Sequence, residues 1–159
     1  MTSCVASWIL SITHGSKVGG YLSDISGAFD KVFKLFMMAK LFRAGVGDNY
    51  LRFLFAYLEP RKGQVAVEGE LSDTFDLENM VFQGTVLGPT LWNLFFSDVA
   101  EAATRFGGTE AMFADDLSMF KSFDRLTDNL AIKNDLSATL NEVHAWGIRN
   151  RVSLNVAKE

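Results

Sequence analysis

Between residues 111 and 120 two apolar runs, Ala111–Ala114 and Leu117–Phe120, are separated by nothing but Asp115-Asp116. Two residues leave room only for a tight reversal, so the spacing predicts a β-hairpin, although Asp-Asp is not the usual pair for such a turn. Two like charges at one bend are costly unless they are solvated or neutralised by cations. Whatever else the chain does, it must build an antiparallel strand pair with carboxylates at its tip.

The remaining segments supply what packs around that hairpin. Ser3–Thr13 has mixed helical spacing and is expected as a helix. Val18–Ile25 is short and apolar, carries Gly19-Gly20 and reads as a strand ending at Asp24. Apolar residues at Phe29, Val32, Phe33, Phe36, Met37 and Leu41 predict a helix over Ala28–Arg43, closed by Gly45 and Gly47. A second helix, Asn49–Leu58, should stop before Pro60. Val65–Glu68 and Thr74–Val81 alternate as two strands. Pro89 suits a helix start, with Leu91, Phe95, Val99 and Ala102 as its stripe and Gly107-Gly108 at its end. Thr127 or Asp128 should cap a long helix with Leu130, Leu136, Leu140 and Val143 inward, and Val152–Leu154 reads as a last strand. This order predicts an α+β layer fold, an antiparallel or mixed sheet with helices packed on one face.

At 159 residues the chain is expected to be a single domain, 1–159. With 48% hydrophobic and 21% charged residues and only 2 prolines, it is not a disordered chain. Its 14 Phe, 3 Trp and 3 Tyr can build a real core. A single cysteine, Cys4, excludes a disulfide scaffold and favours a reducing, intracellular setting, with nucleus or cytoplasm left open. No apolar run approaches the ~20 residues a membrane helix needs. No basic residue precedes the apolar stretch Val5–Ile12, so no signal peptide is expected. A net charge of −4 argues against a self-sufficient nucleic-acid binder.

The acidic residues invite a chemical reading. Mg²⁺ prefers oxygen ligands and is commonly held by one or two carboxylates plus substrate phosphates. If the strand ending at Asp24 neighbours the hairpin, Asp24, Asp115 and Asp116 form a three-carboxylate cluster. Such a cluster can hold two metals about 3.5–4 Å apart, as polymerases and nucleases do. Taken singly, each aspartate is more simply a turn residue or a solvated strand end. His14 and His144 lack partners at metal-ligand spacing, and Trp92, Trp146, Arg149 and Arg151 read as core or solvated residues.

Four boxes carry a resemblance. Tyr21–Asp30 (YLSDISGAFD) resembles the D-x-S-x-A-F-D motif of reverse transcriptases, and Phe82–Pro89 (FQGTVLGP) their P-Q-G-S-x-L-G-P motif. The second continues into Leu91–Asp98 (LWNLFFSD). Phe113–Asp116 (FADD) is similar to the F/Y-A-D-D box. His144–Lys158 resembles the W-x-x-x-N-x-L-x-L-N-x-x-K stretch that follows it. The order and separations are most similar to non-LTR retrotransposon enzymes, then to those of group II introns, from about Val18 to the C-terminus.

The resemblance implies an RNA-directed DNA polymerase, a nucleotidyltransferase, here its palm domain with a split βαβ, RRM-like core. It implies an RNA template, a DNA primer and dNTPs as partners, no membrane, and two Mg²⁺ (or Mn²⁺) ions as cofactors. Asp24 and Asp115 match the family's principal metal ligands and Asp116 its third carboxylate, all three catalytic. Lys158 matches a lysine that protonates pyrophosphate. Phe29 falls at the sugar gate that disfavours a ribose 2′-OH. Gly27 and Ala28 match small positions that let backbone N–H groups reach the triphosphate. Gln83 and Gly84 match the turn beside nucleotide and template. Phe82 replaces the usual proline, so that loop is expected to differ. The fingers and thumb segments, with their basic surfaces, are expected to be missing or truncated, which accounts for the acidic balance. The alternative is a non-catalytic, retrotransposon-derived remnant or interaction module.

Overall fold

The computed structural model describes residues 2–155. In chain order the elements are α1 (Thr2–Thr13), β1 (Lys17–Ser26), a 3-10 turn (Phe29–Lys31), α2 (Lys34–Arg43), α3 (Asp48–Tyr57), β2 (Arg61–Gly63), β3 (Ala66–Val67), β4 (Glu70–Leu71) and β5 (Phe75–Leu77). Then come α4 (Gly88–Phe96), α5 (Val99–Thr104), β6 (Thr109–Phe113), β7 (Asp116–Phe123), α6 (Asn129–Asn150) and β8 (Ser153–Leu154). The chain divides into two compact units, one made of residues 1–26 and 96–159, the other of 27–95.

The first unit is built on a four-stranded sheet of order β6-β7-β1-β8 in which every neighbouring pair is antiparallel. The period-2 pleat separates its faces. Ser23, Ile25, Leu117 and Met119 are buried on one face. That face also presents Lys121, whose ammonium donates to Asp135 of α6 at 2.7 Å. The opposite face presents Leu22, Asp24, Asp116 and Ser118, and further along the strands Phe120 and Ser122. There α1, which has no charged residue, lies across the sheet. Trp8 meets the Phe120 ring edge-on at 5.4 Å, and Ser11 Oγ lies 2.8 Å from Ser122 Oγ. The α+β class and antiparallel pairing match expectation, but helices cover both faces. Trp8 and Ser11 make the contacts of α1 with the sheet, while Val5, Ile9, Leu10 and Ile12 are exposed.

Asp128, one of the two expected caps, starts α6, its carboxylate accepting from Leu130 N–H at 2.9 Å. Val143 is fully buried as expected, whereas Leu130 is exposed. The long helix expected from Pro89 is broken at Ser97-Asp98 into α4 and α5. Even so, Leu91, Phe95, Val99 and Ala102 are all buried.

In the second unit the helix expected over Ala28–Arg43 is interrupted. Val32 and Phe33 are extended, at φ −83°, ψ 100° and φ −67°, ψ 118°. The Phe29 carbonyl accepts from Val81 N–H at 2.8 Å rather than from a following helical turn. Its core gathers Val32, Met37, Leu41, Leu54, Val81, Leu91, Trp92 and Phe95. Trp92 stacks on Phe29 at 5.7 Å and lies 5.9 Å from Phe95. The two strands expected at Val65–Glu68 and Thr74–Val81 are present only as the short β3 and β5, which pair not with each other but with two further pieces, β3 with β4 and β5 with β2. The arm turns at Glu68-Gly69, both at positive φ (52° and 89°), the signature of a type I′ turn.

Candidate active site

Strand β1 pairs with β7 so that Asp24 stands directly opposite Asp116. Directly opposed residues share a face, with Cβ atoms about 4.5–5.5 Å apart. The pleat therefore puts both carboxylates on the face that α1 leaves uncovered at this end. Asp116 in turn is opposite Phe113 of β6. On the other edge Ile25 pairs with Leu154 of β8. The next residues, Asp24 and Asn155, are joined by a backbone bond from Asn155 N–H to the Asp24 carbonyl at 2.8 Å. Phe113, Asp116, Asp24 and Asn155 thus form one row across the four strands.

The hairpin exists, but its turn is one residue earlier than the sequence suggests. Phe113 and Asp116 are the last paired residues, so the loop is Ala114-Asp115 and Asp116 belongs to a strand. Leu117 and Met119 must point to the core, and that fixes the register. Ala114 sits at φ 56° while Asp115 does not have positive φ, the pattern of a type II′ turn. Glycine is the ordinary residue there, so alanine carries strain of roughly 1–2 kcal/mol. Asp115 is tied back to β1 through its carbonyl, which accepts from Ile25 N–H at 3.2 Å.

What the backbone brings together is therefore Asp24 and Asp116 in register, with Asp115 adjacent in the turn. Among the described residues no three carboxylate, imidazole or thiol side chains close up into a ready metal cage. An opposed pair of hard oxygen donors on an open sheet face nonetheless fits Mg²⁺ in kind, because that ion usually takes one or two carboxylates and completes its shell from water and phosphate. Beside Asp116 the same face holds a groove of about 520 Å³, lined by Leu22, Ala111, Phe113 and Ser118 among others. Phe113 is 73% exposed and Leu22 64%, an apolar floor left open to solvent.

Gly27, Ala28, Phe29, Gln83 and Gly84 lie in the second unit. Gly27 has φ +66° and its carbonyl accepts from Asp30 N–H at 3.0 Å, making the turn that leads into Phe29. Ala28 is buried. Phe29 is half-buried against Trp92, on a 3-10 turn rather than a helix. Gln83 and Gly84 are exposed at the centre of a turn closed by Thr85 N–H to the Phe82 carbonyl at 3.3 Å. Gly84 holds φ +79°, which a type II turn demands of its third residue. A Cβ at Gly88 would come 3.1 Å from the Phe82 carbonyl oxygen, a tight contact that favours glycine there. Phe82, in place of the expected proline, is buried with the Arg61 guanidinium 3.7 Å above its ring.

The last motif is chiefly a helix terminus. Trp146 is buried and its indole N–H donates to Asp98 Oδ1 at 2.7 Å. Asn150 Nδ2 donates to the Trp146 carbonyl at 2.9 Å, satisfying one of the last carbonyls of α6. Lys158 lies outside the described residues. Two residues that the sequence offers only as motif positions make contacts of weight, Asn155 and Asp98. Only the pairing of β1 with β8, which no local pattern records, sets the first of them against Asp24.

No described helix is long and apolar enough to cross a membrane. Comparison with known proteins matches residues 9–159 to the family model described as reverse transcriptase (RNA-dependent DNA polymerase). The chain is 28% identical over 145 residues, 88% of its length, to the RNA-directed DNA polymerase from mobile element jockey of Drosophila funebris. It is 32% identical over 149 residues, 89% of its length, to the protein of the same description from Drosophila melanogaster. A probable RNA-directed DNA polymerase from transposon X-element of Drosophila melanogaster matches at 32% over 96 residues, 59% of the chain and 10% of that relative. The chain spans about 15% of the length of either jockey relative. Four ordered motifs, the opposed Asp24–Asp116 pair and these matches converge, and the chain belongs to the reverse transcriptase (RNA-dependent DNA polymerase) family.

Proposed function

We propose that the chain is the palm portion of a non-LTR retrotransposon reverse transcriptase, extending a DNA primer with dNTPs on an RNA template. The observation that carries this reading is the register placing Asp24 opposite Asp116 on an open face, with Asp115 beside them. Divalent ions, when bound, supply activation of the primer 3′-hydroxyl and neutralise charge on the departing pyrophosphate. Asp24, Asp115 and Asp116 are the residues that would hold them. The protein does little covalent work in such a transfer, so the chain contributes position, and a hydrogen-bonded sheet is a rigid way to supply it.

The remaining roles follow the family pattern. Phe29, braced on Trp92 and by its carbonyl bond to Val81, presents a flat ring suited to excluding a ribose 2′-OH. The Gly27-Ala28 turn offers backbone close to the triphosphate, and the exposed Gln83-Gly84 turn contacts nucleotide and template. Lys158 is assigned the proton for pyrophosphate. Fingers and thumb segments of a longer polypeptide would supply the basic grip that a chain of net charge −4 lacks.

The test is primer extension on an RNA template with dNTPs and Mg²⁺, using the chain with fingers and thumb segments of a jockey-type relative appended. Asp115→Asn should lower incorporation about 10³-fold, in line with the loss of a principal electrostatic group. Extension unaffected by that change, or by Asp24→Asn, refutes the assignment. A second reading, a non-catalytic remnant, draws on the lack of a closed three-ligand cage among the described residues. It predicts no extension by the parent protein under any metal.

A further inference from the structure

We infer that Asn155 is a positioning residue for the Asp24 carboxylate. This rests on the reading of Asp24 as a metal ligand and extends it to a group with no role so far. The geometry has two parts. The backbone bond of 2.8 Å from Asn155 N–H to the Asp24 carbonyl fixes Asn155 directly opposite Asp24, on the side away from Asp116. From there the Asn155 carboxamide Nδ2 donates to Asp24 Oδ2 at 3.4 Å, a weak bond longer than the ~2.7–3.2 Å usual for N–H···O.

The chemistry needs such a group at this place. Asp24 and Asp116 are like charges in directly opposed positions, an arrangement that disfavours their mutual approach. A donor on the side away from Asp116 restrains Asp24 Oδ2. The donor must also be neutral. An ammonium there would satisfy Asp24 by itself and compete with the divalent ion, whereas a carboxamide orients the carboxylate and leaves its charge to be used. Partners that orient a ligating carboxylate in this way are worth roughly 10–100-fold in metal affinity.

The experiment is direct Mn²⁺ binding to the 159-residue chain, by electron paramagnetic resonance of free Mn²⁺, with thermal unfolding in chelator as the control for structure. Asn155→Ala and Asn155→Leu should each weaken Mn²⁺ binding about tenfold. Asn155→Gln, which retains a carboxamide, should stay within about threefold of the parent. All three keep the backbone bond to Asp24, so the unfolding midpoint without metal should move little. Affinity unchanged in Asn155→Ala while Asp24→Asn loses binding refutes the positioning role and leaves the metal reading standing. Retention by Asn155→Leu alongside loss by Asn155→Ala makes the effect one of bulk and also refutes it. A parent that binds no Mn²⁺ at millimolar concentration, or an Asp24→Asn variant that binds as well as the parent, overturns the metal reading, and the positioning role with it.

Discussion

Replacing Asp98 by alanine removes an acceptor on which a buried tryptophan depends. Trp146 is 3% exposed, and its indole N–H reaches Asp98 Oδ1 at 2.7 Å, short and charge-assisted. Asp98 also stands at the N-cap position of α5 but makes no side-chain cap bond, because its carboxylate is turned to the indole instead. Truncation therefore leaves a buried N–H without this acceptor, at a cost of about 1–3 kcal/mol, while any direct capping loss is small. For a chain of this size about 2 kcal/mol lowers the melting temperature by roughly 4–8 °C. Thermal and urea unfolding of Asp98→Ala, Asp98→Asn and Trp146→Phe would measure it. Asp98→Asn keeps a neutral acceptor and should lose less than half as much. In the double variant Asp98→Ala/Trp146→Phe the two losses should be markedly non-additive. An Asp98→Ala protein within about 0.5 kcal/mol of the parent, below the usual net worth of one hydrogen bond, would refute the reasoning.

Ala114→Gly should be neutral to mildly stabilising, by up to about 1 kcal/mol, and Ala114→Val destabilising by more than 1 kcal/mol, because only glycine meets φ 56° without strain; urea midpoints give the order. Gly147→Ala places a Cβ 2.9 Å from the Val152 carbonyl oxygen, a backbone atom that cannot swing aside, and should cost about 1–3 kcal/mol in the same assay. In chelator, Asp116→Asn should raise the melting temperature by a degree or two, since it removes one of two opposed like charges worth roughly 0.2–1 kcal/mol; a fall would show that the pair is not under repulsion. In an extension-competent longer polypeptide, Phe29→Val should increase ribonucleotide incorporation, read as the ratio of rNTP to dNTP extension, and an unchanged ratio removes the gate role.

The sheet was legible from the sequence where its period-2 pattern met a buried face. Val18–Ile25 and the short 152–154 strand are present within a residue, and the 111–120 hairpin is present with its second strand running three residues further, to Phe123. The turn was misplaced by one because the two aspartates look like a loop, whereas the inward demand of Leu117 and Met119 takes Asp116 into the strand. The helix expected over Ala28–Arg43 failed for another reason. Its apolar spacing runs unbroken through Val32 and Phe33, and the interruption coincides with a bond from Val81, some fifty positions away, that no local pattern records. Residues 61–77 offered alternation without a core, and exposed Val65, Val67 and Leu71 give the register nothing to lock against. Of the candidate site, residue types and order were readable. Asn155 was readable as a motif position, but its bond to Asp24 was not, because that depends on which residue it faces across a two-residue strand.

The row Phe113–Asp116–Asp24–Asn155 also works as a ruler. Its graduations are interstrand steps of about 4.8 Å, drawn by main-chain bonds that every residue except proline can make. The backbone distance between the acidic positions is therefore insulated from the identity of the side chains beneath the sheet. Mutational drift in the interior of such a chain can erode its melting temperature long before it alters the spacing of Asp24 and Asp116.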